Sequence, residues 1–255
     1  MEIHHTHHHD LPQHKEKLWK HYAIEFFMLF LAVSAGFFVE NQRDYYLERV
    51  REKEYAKSLY DDLKVDTAVI QRTYNEKLWC SKKMDSLQNI LSSPDISANN
   101  ELIYYFERFI TFSDHFTSQD VTYQQLKSSG NFRYIGNLEL YKEISDYYNL
   151  YDRYMVLAES PAESSKNLTE MEARLFNGQD LASLYKSNAT NYYTIFARPE
   201  KKFHPVNEDE YYLNYLSVKA GNTKFNAQAS IIFLAWLKDK ATGLITELKN
   251  EYHLD

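Results

Sequence analysis

Glycine and proline are scarce in this chain, at 6 and 5 of 255 residues, too few for the many tight turns of an all-β sandwich. Neither occurs between Asn41 and Leu91. Cys80 is the only cysteine, which excludes an intrachain disulfide and leaves the redox compartment open. Basic excess is missing too: the net charge is −7, so there is no stripe of cations for phosphates and no nucleic-acid partner is expected. The motifs H-E-x-x-H, G-x-x-x-x-G-K-[ST] and G-x-S-x-G are absent, so the sequence assigns no reaction and calls for no cofactor. What is abundant is apolar and aromatic. Hydrophobic residues make up 44% of the chain, with 22 Tyr and 15 Phe, so a sizeable core built largely of rings is expected.

The longest apolar run lies in HKEKLWKHYAIEFFMLFLAVSAGFFVENQR, His14 to Arg43. No charge falls between Phe26 and Val39, and with Tyr22–Glu25 the block reaches about 18 residues, roughly 27 Å of helix against a bilayer core of about 30 Å. Trp19, His21 and Tyr22 stand where interfacial rings belong, and Glu25 sits near one end, within reach of headgroups or of Lys17 and Lys20. A soluble core helix is rarely apolar on every face, so the run reads as a membrane anchor. Val33–Ala35 offers the alternative of a signal peptide cleaved before Gly36, but the apolar run continues through GFFV and the leader carries acids among its lysines. Lys15, Lys17 and Lys20 precede the span and Arg43, Arg49, Arg51 and Lys53 follow it, so the count of cations does not decide the orientation; that the lysines lie closest favours an N-in anchor in the inner (cytoplasmic) membrane with the C-terminal domain extracytoplasmic. Ala32 and Gly36, with Ser34 and Ala35, make one side of the span small, a feature that lets two such helices approach.

Residues 1–20 read as a His-rich flexible tail, 21–40 as the transmembrane helix and 41–255 as a helical domain. The mixed charges of RDYYLERVREKEYAK predict a solvated stalk, and Tyr55, Leu59, Leu63, Ile70, Tyr74 and Leu78 an apolar stripe. SSPDISANN ends that helix. Leu102, Phe106, Phe109 and Phe116 mark a second helix. The segment SQDVTYQQLKSSG predicts a third, capped by Ser118 and stopped by Gly130. Asn137 opens a fourth, with Leu140, Ile144, Tyr148, Tyr151 and Met155 on one face. Ser160–Glu163 reads as a capping box for a helix ending near Asn177–Gly178. Ser187–Val206 reads as a loop. Asn207 with Glu210 suggests a cap for EDEYYLNYLSVKAG, and a last helix from Thr223 carries Phe225, Ile232, Trp236, Leu244, Leu248 and Tyr252. The fold class is all-α: one N-terminal transmembrane helix continuing into a stalk and an antiparallel helical bundle.

TYQQLKSSGNFRYIGNLELYKEISDYYN, Thr122 to Asn149, together with the anchor segment WKHYAIEFFMLFLAVSAGFFVENQR, resembles an uncharacterised Bacteroidota family of single-pass membrane proteins whose members carry a similar Y-x-x-L-K-S-S-G segment. The resemblance covers the first 150 residues or so and implies location and architecture only. Read on its own, the segment is a helical hairpin in which Tyr123 and Leu126 face a core, Gly130 takes the left-handed position, and Leu138, Leu140 and Ile144 return the chain.

Candidate ligand groups are few. His4, His5, His7, His8 and His9, with His14, form the one conspicuous set of imidazoles, able to hold Zn²⁺, Ni²⁺ or Cu²⁺, although a floppy leader lacks fixed geometry. His204 and Glu208 stand four apart across Pro205. His115 follows Asp114. Cys80 beside Trp79 reads as a packed side chain. Tyr141, Tyr147, Tyr148, Tyr151 and Tyr154 cannot all point inward from one helix, so they form either an interface or a wide aromatic core. Two functions stay open: a membrane-anchored interaction module or scaffold, whose partners are the lipid bilayer and a protein or second copy, and a sensor-like bundle holding a small ligand between helices.

Overall fold

The computed structural model describes residues 13–111, 114–159, 165–190 and 192–254. Seven α-helices are found among them: α1 Gln13–Leu91, α2 Asn100–Glu107, α3 Val121–Ser129, α4 Leu138–Ala158, α5 Ser165–Leu175, α6 Gly178–Ser183 and α7 Glu210–Tyr252. The described residues contain no β-strand, only an isolated bridge between Tyr185 and Phe196. The fold is all-α, as the period of the sequence predicts. The chain divides into two units, one ending at Glu54 and one running from Tyr55 to Asp255.

In the first unit, α1 is helical from Gln13. Every side chain from Trp19 to Glu40 except Ser34 is exposed.

In the second unit, α1 and α7 run antiparallel. Lys238 Nζ donates to Gln71 Oε1 at 2.6 Å, and farther along α1 but earlier on α7, Lys224 pairs with Asp85. The same logic makes α4 antiparallel to α7: Lys240 Nζ lies 3.1 Å from Glu143 Oε2, while Phe233 meets Tyr154. Around these three helices lies one core, with Leu59, Leu63 and Ile70 of α1, Leu126 of α3, Tyr147 and Tyr154 of α4, and Leu234 and Leu244 of α7. A second core gathers Met84 and Leu87 of α1, Tyr104 and Phe106 of α2, Leu175 of α5 and Leu216 of α7.

Helix ends show where local chemistry decides. Asn137 caps α4 as predicted, its side chain accepting from the backbone N–H groups of Glu139 and Leu140, and Gly130 ends α3 at φ 68°, a conformation that favours glycine. Ser118 does not cap α3. Its hydroxyl donates to Asp66, and the cap position passes to Asp120. The cap of α7 is Asp209, which accepts from Tyr211 and Tyr212 N–H; Asn207 is occupied elsewhere, its N–H donating to Leu175 O and its side chain to Arg174 O. Asn177 and Gly178 open α6 as well as following α5, Asn177 accepting from Gln179 and Asp180 N–H. The capping box predicted at Ser160–Glu163 lies outside the described residues.

Two helices differ in length from expectation. α2 stops at Glu107, so Phe109 packs from a following turn and Phe116 from an extended segment. α7 is one helix of 43 residues instead of two. Gly221 does not interrupt it; a Cβ there would stand 3.1 Å from Gln88 Nε2, so the small residue marks a close approach to α1. The apolar assignments shift with these changes: Leu78, Leu138, Phe225, Ile232 and Trp236 are exposed.

Candidate functional site

The core-facing row of α1 contains Leu59, Leu63 and Ile70 at helical spacing, and Asp66 falls in the same row. This fully buried carboxylate accepts from Ser118 Oγ at 2.5 Å, Gln119 N–H at 2.7 Å and Tyr147 Oη at 2.7 Å. One turn earlier, Asp62 accepts from Thr122 Oγ1 at 2.5 Å, and Thr122 Oγ1 also meets Ser58 Oγ at 2.9 Å. Burial pushes the Asp66 carboxyl above its ordinary value, against the lowering effect of its three donors, and pushes the Tyr147 hydroxyl far above the usual tyrosine range. The network therefore joins α1, α4 and the segment before α3. Tyr147 is the donor that reaches into it from α4. Tyr154 repeats the pattern: pushed up to about 12 by burial, it accepts from Phe116 N–H at 3.1 Å.

The tyrosines of α4 thus make an aromatic core. Tyr147, Tyr148 and Tyr154 are buried, Tyr151 is half-buried, and Tyr141 lies at the edge against Phe132. Tyr123 stacks on Tyr148 with centroids 3.9 Å apart. Of the hairpin residues, Tyr123 and Leu126 face the core as read from the sequence, with Leu140 and Ile144.

A second polar group lies in the other core. Arg108 bridges Glu107 of α2, at 3.0 Å, to Glu172 of α5, at 2.6 Å. Glu107 is buried, and loss of hydration drives its proton affinity well up. Glu76 is raised by burial as well; among the described residues its Oε2 and Thr73 Oγ1 have no hydrogen-bond partner.

His204 faces Asp180, not Glu208, with Nδ1 2.8 Å from Asp180 Oδ2. The His204 N–H donates to the same oxygen at 2.7 Å and holds Asp180 below the ordinary carboxylate range. Asn100 pins the same segment from α2, donating to His204 O at 2.9 Å and accepting from Val206 N–H at 2.6 Å. Beside it is an open cleft of about 330 Å³ lined by Asn100, Glu101, Phe203, Pro205 and Glu208 among others. Asn100 spends both side-chain polar atoms, and Glu101 one carboxylate oxygen, on the chain's own backbone. His115 uses its N–H on Asp114 Oδ1.

Cys80 is buried and its thiol, pushed up to about 11 by burial, donates to Phe109 O at 3.7 Å. That is the packed side chain the sequence suggests. His4, His5, His7, His8 and His9 lie outside the described residues, and no set of three metal-ligating side chains occurs among those described.

Sequence reading missed the Asp66 network, although an acid in register with a leucine row was its signal. Asp66 ties α1 to α4, and Arg108 ties Glu107 of α2 to Glu172 of α5. One surface without an internal explanation is the N-terminal half of α1, where 18 consecutive residues have a mean hydropathy of 2.0 and none is buried. It is long and apolar enough to cross a membrane. No family model matches the chain, and neither a curated protein nor a solved structure does.

Proposed function

We propose that the chain is a membrane-anchored helical interaction module, in which residues 21–40 cross the inner membrane once and the helical unit from Tyr55 onward presents a surface to a protein. The observation that carries this reading is the exposure of an unbroken apolar helix on all sides. In water it would cost on the order of 1 kcal/mol or more for each large side chain left unburied; in hydrocarbon it is at home, with its backbone hydrogen bonds closed internally. Trp19 and Tyr22 at one end suit the headgroup layer. The resemblance of the anchor and of Tyr123–Gly130 to the Bacteroidota family supports the same location.

The test is extraction. The intact protein is expected to stay in the membrane pellet after carbonate and high-salt washes. A mature N-terminus at Gly36, with the chain in the soluble fraction, would mean a cleaved signal peptide and end the anchor reading.

The lysines nearest the span favour an extracytoplasmic helical unit. With Cys80→Ala as background, Ser187→Cys is expected to react with a membrane-impermeant maleimide in cells whose outer layer is permeable and whose inner membrane is intact. Ser187 is exposed, so access within the fold is not limiting. Labelling only after lysis would place the helical unit in the cytoplasm.

A further inference from the structure

The long helix α7 carries two apolar rows. Leu216, Leu234, Leu237, Leu244 and Leu248 face the cores. On the opposite side, Tyr211, Val218, Phe225 and Ile232 recur every seven residues, and Trp236 follows four later. These five are 70, 54, 67, 50 and 51% exposed. Asn222 and Ala229 fill intervening positions, as does Tyr215, which is half-buried and also packs on the second core, giving steps of four and three from Tyr211 to Trp236. That is the 3.5-residue repeat of a two-helix seam, and a helix with one core face has no need of it on its outer side.

Area and charge both bear on the occupant. With large side chains offering about 150–250 Å² each, the five present on the order of 600 Å², not far below the roughly 800 Å² per partner of a standard interface. Between Tyr211 and Trp236 the helix has no acidic residue and only two lysines, Lys219 and Lys224, the second already paired with Asp85. Asn214, Asn226 and Gln228 border the row. Two copies therefore meet without like-charge repulsion, whereas an anionic lipid surface would call for a basic border. Asn222 occupies an a position of the repeat, where a polar residue meets its own counterpart and fixes a parallel register.

We propose that α7 packs in parallel and in register against α7 of a second copy of this chain through the Tyr211–Trp236 row. This names the partner within the interaction-module reading and does not depend on the anchor. Sedimentation velocity of the full chain in mild detergent is expected to show a dimer at micromolar concentration. The double variant Phe225→Glu/Ile232→Lys should dissociate about 100-fold more readily, since interface anchors carry most of the binding energy. Its circular dichroism should be unchanged, because both side chains are exposed. Gly36→Leu should leave the dimer intact. In the Cys80→Ala background, Val218→Cys and Ile232→Cys should each form disulfide-linked dimers on oxidation, and Val156→Cys, exposed on α4, should not. A monomeric wild type, a dimer indifferent to the α7 variant or lost with Gly36→Leu alone, or equal crosslinking through Val156 would each overturn the proposal. Carbonate extraction of the same α7 variant reads the anchor separately: retained but monomeric is the expected result, and a released yet dimeric wild type would sink the anchor while leaving the α7 pairing in place.

Discussion

Asp66→Ala is expected to destabilise the helical unit by about 3–5 kcal/mol, because it strands buried donors at about 1–3 kcal/mol each. Two are left buried, Ser118 Oγ and Tyr147 Oη, and the part-buried Gln119 N–H loses its acceptor as well. Asp66→Asn, which keeps one acceptor in place, should lose less. Both variants should also differ from the wild type in pH dependence, because neither keeps the titrating carboxyl. In the folded chain the Asp66 carboxyl binds its proton more tightly than in the unfolded chain, burial being the largest cause. Between the ordinary aspartate value and the raised one, the native state holds the extra proton. Stability therefore falls as pH rises through that window and is level above it. Asp66→Asn cannot titrate and should show a shallower decline. Urea unfolding of the full chain in mild detergent, from pH 4 to 7, measures both effects. A loss under 1 kcal/mol for Asp66→Ala would show that the carboxylate braces nothing.

The anchor has an equally large expected response. Phe30→Arg with Leu31→Arg places two charges at the middle of residues 21–40, each costing about 2.5–3.5 kcal/mol on insertion scales. The pair amounts to roughly 5–7 kcal/mol, a shift of more than a thousandfold between bilayer and water by the same scale. Phe30 and Leu31 are exposed, so the substitutions disturb the solvent preference of the helix and not a packed core. The double variant should leave the carbonate-resistant pellet in which the wild type is expected. Retention equal to wild type would mean that this stretch is not what holds the chain in the membrane.

Much of the architecture was legible where one residue acts alone. Asn137 caps α4 and Gly130 ends α3 because nothing else competes for an Asn side chain in the first case, or tolerates φ 68° as cheaply in the second. Legibility failed where a distant residue intervenes. Ser118 looks like a cap until Asp66, 52 positions earlier, takes its hydroxyl. Asn207 looks like a cap until α5 supplies carbonyls for it, leaving Asp209 to start α7. Gly221 looks like a stop, but its neighbour is Gln88 on another helix, and an isolated helical glycine costs only about 1 kcal/mol, which packing along the rest of α7 outweighs. The two rows of α7 are hard to separate in the sequence for a related reason: a helix split at Gly221 needs only one apolar face for each half, so Phe225, Ile232 and Trp236 are not distinguished there from Leu244 and Leu248. In an unbroken helix whose core face is already filled by Leu234, Leu237 and Leu244, Phe225, Ile232 and Trp236 are left outside. Of the site, the tyrosine excess foretold an aromatic core, while the carboxylate within it was hidden because an acid in a leucine row resembles an ordinary surface charge.

The unbroken course of α7 has a mechanical meaning. Leu216 and Ala220 belong to one core, and Leu234 through Leu248 to the other, with α1 likewise contributing Leu59 to one and Leu87 to the other. Neither core can open without exposing helical backbone whose continuation is held fast in its neighbour. The two cores are therefore stiffly spliced, so that amides near Gly221 should exchange with solvent only when the whole unit opens, and the helical unit should melt as a single block instead of shedding one half first.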